Sequence, residues 1–496
     1  MRTNFGAVAL AAALLAAPLG AQTAPRTLSL DEALSLARRN SPTWRSVEND
    51  EEASAWGVRE AYASLLPRAD ARGGVTWQEA GVQRIGTIDL GAGSDLLSSR
   101  YGVDVSWSLD GGSLFQVASA RANHRAVEAT VTAGELELDQ RVTLRYVSAL
   151  RARDAIDVQR RQLERARQNH DLVRVRAESG AAPMMEAKQA EVERGRAEVA
   201  LLQAERAYRA ELLRLSEELG VELDAEVELE GGAQPFAPTW TLDELIERAL
   251  ASHPSVLAAR AREAAGRARV RQARSGYLPS FSLSTGWSGS TIESTNKDYV
   301  VAQTERTLST QRDRCQLENA LVGGLSGPYP GFPRNCGQYT LTDAARADLI
   351  SGSQVFPFEF TKSPLFFSFG VSVPLFNGFS IQRQVEEAVE VSKDFTEGRR
   401  AEELRRRTAV TEAHDAVATQ YRVIEIEDTN RSLAEERLTM ARQRYALGAA
   451  SIIELLDAQT SMQTAERDWL NALYDYQVAL TGLEAASGVS LRPETE

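Results

Sequence analysis

The sequence predicts a mainly α-helical protein that also carries membrane-type β-strands, built as two copies of one unit. Three observations predict this. Segments of the first half recur in order in the second. Two long proline-free stretches carry helical periodicity, and four short segments place apolar residues on alternate positions. Repeats are sought first because a doubled unit builds a pseudo-symmetric object.

The duplication is read from matched landmarks. Leu30-Asp31-Glu32-Ala33-Leu34 is echoed by Leu242-Asp243-Glu244-Leu245-Ile246. Pro42 pairs with Pro254 and Pro67 with Pro279, both 212 positions apart. Further on, Arg174–Glu186 echoes Arg442–Glu454, and Gly180 pairs with Gly448 and Gly220 with Gly488, both 268 apart. The second half therefore holds 268 − 212 = 56 extra residues in its middle. The repeats are placed at 22–232 and 233–496.

Each half should contain a long helical hairpin, at 113–220 and 380–487. No proline occurs from Arg68 to Ala182 or from Leu375 to Arg492, so no helix there is interrupted by a missing donor. Val142, Tyr146, Ala149, Ile156, Leu163, Ala166, Val173 and Ala177 follow one another at helical steps. A helix over Ser113–Ala177 would be about 100 Å long, a coiled-coil length rather than that of a globular core helix. Ile381–Tyr445 repeats the pattern with Val385, Val389, Leu404, Val417, Tyr421, Ile424, Leu433 and Leu438. Gly180 and Gly448 stop the long helices, since glycine tolerates the left-handed backbone past a helix end. Pro183 suits the first turn of the returning helix in one half. Ser451 with Glu454 is a capping box in the other.

The strands are expected at about 68–77, 101–110, 280–288 and 367–375. Tyr101, Val103, Val105, Trp107 and Leu109 alternate with Gly102, Asp104, Ser106, Ser108 and Asp110; Phe281, Leu283, Thr285 and Trp287 alternate with serine and glycine. Period two gives one apolar and one polar face. Strands of about ten residues with such faces suit an outer-membrane barrel as well as a half-buried soluble sheet. Four strands close no barrel, and open edges cannot sit in lipid, so a membrane reading requires several chains in one barrel. Two chains would supply eight strands and three would supply twelve; the strands alone do not choose.

Residues 1–21 read as a secretory signal: Arg2, then an apolar run over Phe5–Leu19, with Ala21 as the cleavage position. The formal net charge of −13 argues against nucleic acid, which wants a basic face. Four scattered histidines lack metal-ligand spacing, and neither a phosphate loop nor a nucleophile elbow is found, so no metal, cofactor or enzymatic activity is expected. Cys315 and Cys336, the only cysteines, lie in the extra segment; an oxidising compartment favours a disulfide over two free thiols.

Tyr445-x-x-Gly448-x-x-Ser451-x-x-Glu454, continued by Leu455-Leu456-Asp457-Ala458, resembles the TolC-like outer-membrane efflux proteins. So do Val373-Pro374-Leu375-Phe376-Asn377-Gly378, the Leu30–Leu34 segment with Asn40-x-Pro42, and Leu66-Pro67. The resemblance covers essentially all of the mature chain. It implies a homotrimer in which three chains share a twelve-stranded outer-membrane barrel while the helices continue as a periplasmic α-barrel. Residues 290–364 would be an enlarged outward-facing loop. The implied role is a passive exit duct for a tripartite efflux pump or a type I secretion system. Its partners would be a periplasmic adaptor, an inner-membrane transporter and outer-membrane lipid. A soluble periplasmic coiled-coil adaptor or scaffold is the alternative.

The resemblance also implies the site. The gate at the periplasmic mouth maps to Tyr445, Glu454 and Asp457, with Met185 and Glu186 from the first half. Glu454 and Asp457 are three apart and can share a helix side; a threefold axis would multiply them into two acidic rings that favour cations. The family's gate often carries an arginine two residues after the tip glycine, where this chain has Ala450. Packing of Met184, Met185, Ile452 and Ile453 is the expected substitute. Gly180-Ala181-Ala182 and Gly448-Ala449-Ala450 are the small-residue tips expected to dock an adaptor.

Overall fold

The computed structural model describes residues 27–85, 87–92, 94–223 and 227–492. The leader expected at 1–21 lies outside the described residues. The first half runs β1 (Thr27–Leu28), α1 (Leu30–Asn40), α2 (Pro42–Ala63), β2 (Arg68–Gln78), β3 (Val82–Ile85), β4 (Ile88–Ala92), β5 (Leu96–Leu109), α3 (Gly111–Glu178) and α4 (Met184–Leu219). The second runs β6 (Glu228–Leu229), α5 (Leu242–Ser252), α6 (Pro254–Arg274), β7 (Ser280–Ser294), α7 (Lys297–Gly323), α8 (Asp343–Gly352), β8 (Thr361–Lys362), β9 (Phe366–Ser372), α9 (Ser380–Ala446) and α10 (Ile452–Ser487).

The repeat is visible in how the helices start and stop. Ser29 caps α1 by accepting from the Glu32 amide while the Glu32 carboxylate accepts from the Ser29 amide; Thr241 and Glu244 do the same for α5. Prolines begin α2 and α6 where the missing donor costs nothing. The returning helices α4 and α10 are both 36 residues long and end on Gly220 at φ 71° and Gly488 at φ 72°. Pro183 stands at the N-cap of α4, one residue before the first turn expected for it.

The chain divides into two units. The first comprises Met1–Gly57, Ala120–Arg267 and Val389–Glu496. The α3 stripe from Val142 to Val173 is buried there as expected, most of it against α1, α4 and α10. Tyr146 straps the two-stranded parallel ribbon β1–β6 to α3: its hydroxyl lies 2.7 Å from the carbonyl oxygens of both Leu28 and Glu230. Val410, Val417, Tyr476, Leu480 and Leu483 build the matching core of the second half with Leu245. The α9 stripe departs from expectation. Val417, Ile424 and Leu438 are buried, but Leu404 and Leu433 are exposed, since that face of α9 is left uncovered among the described residues.

The second unit comprises Val58–Ser119 and Ala268–Ala388. Its main sheet is antiparallel, in the order β2-β5-β7, with β9 and the short β8 pairing the other side of β7. The register sets Val105 opposite Ala69 and Thr285, and Leu283 opposite Trp107 and Phe369. Ala69, Ala71, Val75, Trp77, Val103, Val105, Trp107, Phe281, Leu283, Phe367, Phe369 and Val371 therefore share one face. The other face holds serines, glycines and the Arg72–Asp104 salt bridge at 2.7 Å.

Three strand boundaries need correction. β5 starts at Leu96, well before 101, because it is paired with β7 along its whole length. β7 continues to Ser294, so the segment expected as a loop from 290 begins as strand. β9 stops at Ser372, short of 375, where Pro374 has no amide to donate. The inserted segment is also no plain loop. It contains α7, whose Asn319 side chain holds both the amide and the carbonyl of Arg334 at 2.8 Å, beside a Cys315–Cys336 disulfide with Cα atoms 5.6 Å apart.

Candidate functional site: the hairpin tips

Both hairpins turn on the same backbone device. Gly180 has φ 78°; its amide donates to the Ala177 carbonyl, and the Ala181 amide reaches back to Arg176. Gly448 also has φ 78°, with its amide on Tyr445 and the Ala449 amide on Arg444. This paired closure satisfies carbonyls that a helix end would leave orphaned. The small residues at 180–182 and 448–450 thus have a structural use at the turn.

Beneath the tips, Val173, Ala187, Ala190, Leu438, Ala441, Tyr445, Ile452, Leu455 and Met462 form a joint apolar cluster of both hairpins. Tyr445 is 2% exposed, and its hydroxyl donates to Glu186 at 2.7 Å. Burial, and then the Glu186 carboxylate, push its pKa up to about 12. Two of the expected gate residues are therefore joined directly. Met185 is 75% exposed, and Met184 and Ile453 also face outward. Within one chain only Ile452 of the expected apolar quartet packs inward, because α4 and α10 turn the other three away from the apolar cluster.

The acidic pair is not free. Glu454 accepts from Arg444 at 2.6 Å, and Asp457 pairs with Arg437. Each carboxylate has a cation of its own hairpin beside it, which weakens its field at short range.

Arg176 is the residue that sequence reasoning missed. Its guanidinium donates to the Tyr445 carbonyl and, at 2.9 Å, to that of Ala446, while its second nitrogen reaches Ala181 at 3.3 Å. It lies 4.9 Å from the centre of the Tyr445 ring. A cation on the last carbonyls of a helix is favoured by hydrogen bonding and by the helix dipole. One signal could have found it: Arg176 and Arg444 both stand four residues before a tip glycine.

Above the tips a polar ladder joins α3 to α10. Asn169 donates to Gln459 at 2.6 Å, Arg165 pairs with the buried Glu466, and Arg151 contacts Asn471 and Asp475. Side chains that must all find partners fix the register of two long helices more sharply than apolar packing does. Among the described residues no group of His, Cys, Asp or Glu is arranged to hold a metal ion, and no helix is long and apolar enough to cross a membrane.

A doubled pair of capped helical hairpins, with an antiparallel sheet apolar on one face, defines the class of outer-membrane channel proteins. The chain belongs to the outer membrane efflux protein family, whose model matches residues 33–221, 245–313 and 359–489. Family members are outer-membrane proteins with a large periplasmic helical portion, and that is where this chain resides. This sets aside the soluble adaptor alternative. Comparison with curated proteins finds no match. Among solved structures, the channel CusC superposes with a TM-score of 0.66 at 16% identity, covering 93% of this chain and 92% of that one. VceC of Vibrio cholerae gives 0.64 at 15% identity with 93% and 97% covered. The open state of MtrE from Neisseria gonorrhoeae gives 0.63 at 16% identity with 93% and 89% covered. At such identities the likeness is one of fold.

Proposed function

We propose that three copies of this chain form an outer-membrane channel that serves as the passive exit duct of a tripartite efflux pump or type I secretion system, gated at its periplasmic tips. The observation that carries this reading is the sheet of the second unit. Among the described residues its edge strands β2 and β9 have no second neighbour, and Trp77, Phe367 and Phe369 on its apolar face are 58%, 72% and 63% exposed. Such a face suits lipid, but open edges do not. Pooling four strands from each of three chains removes the edges and leaves the serine-rich face towards the bore.

The hairpins support the same assembly. Ile426, Leu433 and Met440 are exposed on α9 at intervals of seven, as are Met185, Val192 and Val199 on α4. Heptad stripes of this kind are the seams of coiled coils. Further copies of the chain would cover them. The gate is assigned to Tyr445, Glu186, Glu454, Asp457 and Met185. Adaptor docking is assigned to the tips at 180–182 and 448–450 and to the groove of about 550 Å³ beside them, lined in part by Gln189, Glu193, Gln459 and Gln463. An inner-membrane transporter would supply the energy for transport.

The test is the particle mass in detergent by light scattering, followed by planar-bilayer conductance. Three chains and discrete conducting steps are expected. A single-chain particle, or a three-chain particle that never conducts, would overturn the proposal.

A further inference from the structure

The serine-rich face of the main sheet carries its charges in a definite order. The register sets Arg72 on β2 beside Gly102 on β5 and Ser288 on β7. The next rung on this face, further from α2 and α3, holds Gly74, Arg100 and Ser290. The two arginines therefore stand on one diagonal and the two glycines on the other. Both glycines leave room. A Cβ at Gly74 would meet nothing within 4 Å, and one at Gly102 only Asp104 Oδ2 and Ser288 Cβ, each at 3.8 Å. The result is an open hollow of about 620 Å³, lined in part by both arginines and by Ser98, Ser288 and Ser290.

The arginines differ in what they face. Arg72 donates to Asp104 at 2.7 Å, and Asp70 shares a rung with Asp104, so the charge of Arg72 is met. Arg100 is exposed, and among the described residues no carboxylate pairs with it. The rung beyond it holds Thr76, Ser98 and Ile292 on this face, again without an acid. Asp104 lies further along β5, roughly 13 Å away at the rise of a strand, which exceeds the screening length at physiological salt. A guanidinium without an acid is unexpected in a chain of net charge −13, where carboxylates outnumber cations.

We propose, resting on the three-chain channel reading above, that Arg100 is an oxyanion-binding residue in the bore of the β-barrel, and that the solutes it favours carry a carboxylate, sulfonate or phosphate group. The planar guanidinium presents parallel N–H donors that match such a group, and the serine hydroxyls around the hollow add further donors. Gly74 and Gly102 let the anion come down to the strands between the two arginines. Three copies place Arg100 at one level of the bore, and rings of arginine favour anions. Discrimination among solutes is thereby assigned to the sheet as well as to the hairpin tips.

The experiment uses the full-length protein, its particle mass measured in detergent, in planar bilayers with potassium chloride. Inorganic pyrophosphate is the probe, added to the chamber on the side of the insertion, and the concentration that halves the current is read. Arg100→Gln should raise that concentration about tenfold, the order expected for the loss of one charge-assisted hydrogen-bonded contact. It should also shift the reversal potential in a potassium chloride gradient towards cations. Gly74→Glu keeps Arg100 but sets a carboxylate opposite it in the open space on β2, and should weaken the block to a similar extent. Absence of block in a conducting three-chain wild type, or block that both variants leave unchanged, overturns the anion site while leaving the channel standing. A single-chain particle, or a three-chain particle that never conducts, overturns the channel itself and the site with it.

Discussion

Replacing Tyr445 by phenylalanine removes one oxygen and tests the tip directly. The ring keeps its place in the apolar cluster and under Arg176, so the change isolates the hydrogen bond to Glu186. A bond to a carboxylate is worth about 1.5–3 kcal/mol, and Glu186 is reached by solvent on one side, so about 1–2 kcal/mol is expected at neutral pH. The pKa gives a second measure. The hydroxyl is raised from 10.0 to about 12. Its contribution is therefore complete below pH 10 and is lost as pH rises through 12. On the order of 2 kcal/mol disappears over that window, burial being the larger cause and the Glu186 carboxylate the next. Tyr146 and Tyr474 are raised as well, so the wild type alone cannot isolate the effect. The difference between wild type and Tyr445→Phe can. Hydrogen exchange at the tip amides should be about fivefold to thirtyfold faster in the variant at neutral pH, following the expected loss, and the variant's tip should lose its sensitivity between pH 10 and 12. Unchanged protection at neutral pH, or an alkaline transition that survives the substitution, would refute the assignment of Tyr445 as the tie between hairpins.

Three further outcomes follow from the same geometry. His253 is held neutral: one ring nitrogen meets the Ala485 carbonyl at 2.9 Å, the other accepts from the Ser255 amide at 3.1 Å, and burial lowers its pKa below 6.5. Stability is lost as pH falls below 6.5, where the unfolded chain binds the proton first; His253→Ser, the residue of the first repeat at Ser41, should flatten that part of a thermal-melt pH series. Gly220→Ala combines φ 71° with a Cβ 2.4 Å from the Asn40 carbonyl oxygen, whereas Gly180→Ala at φ 78° meets nothing within 4 Å; the second should cost about 1–2 kcal/mol and the first clearly more in denaturant melts. Asp457→Asn leaves Arg437 without its carboxylate and should shift reversal potentials towards anions, while Arg437→Gln should shift them towards cations.

The sequence made local features legible and non-local ones illegible. Ser29 with Glu32 and Thr241 with Glu244 close their capping boxes within three residues, so four letters suffice to read them. Gly180 and Gly448 likewise report a left-handed backbone at one position. The strand ends were misread for a different reason. Leu96-Leu97-Ser98-Ser99 does not alternate, and it is β-structure because β2 and β7 pair with it from both sides. Arg176 and the Tyr445 carbonyl are separated by 269 positions, and no local pattern announces such a contact. The cations beside Glu454 and Asp457 were missed although they stand only ten and twenty residues away, because they sit across a turn on the opposite arm of the hairpin. Leu404 and Leu433 were placed in a buried stripe by their spacing, and they are exposed because periodicity reports a face without naming what covers it.

Where the two halves agree, they agree on what a hairpin needs: cap, proline start, left-handed stop, and helices of matching length. Where they differ, the fold does not require the difference. Ala177 could be tyrosine, since the same backbone carries Tyr445 at the other tip; Ser41 and His253 occupy equivalent buried corners; and the helix-bearing insertion stands in only one half. At the tips the departure is one hydroxyl: Tyr445 holds Glu186 across the two hairpins, whereas the equivalent Glu454 pairs with Arg444 of its own hairpin. A carboxylate bound 259 positions away ties two hairpins together, and one bound ten positions away steadies only its own turn.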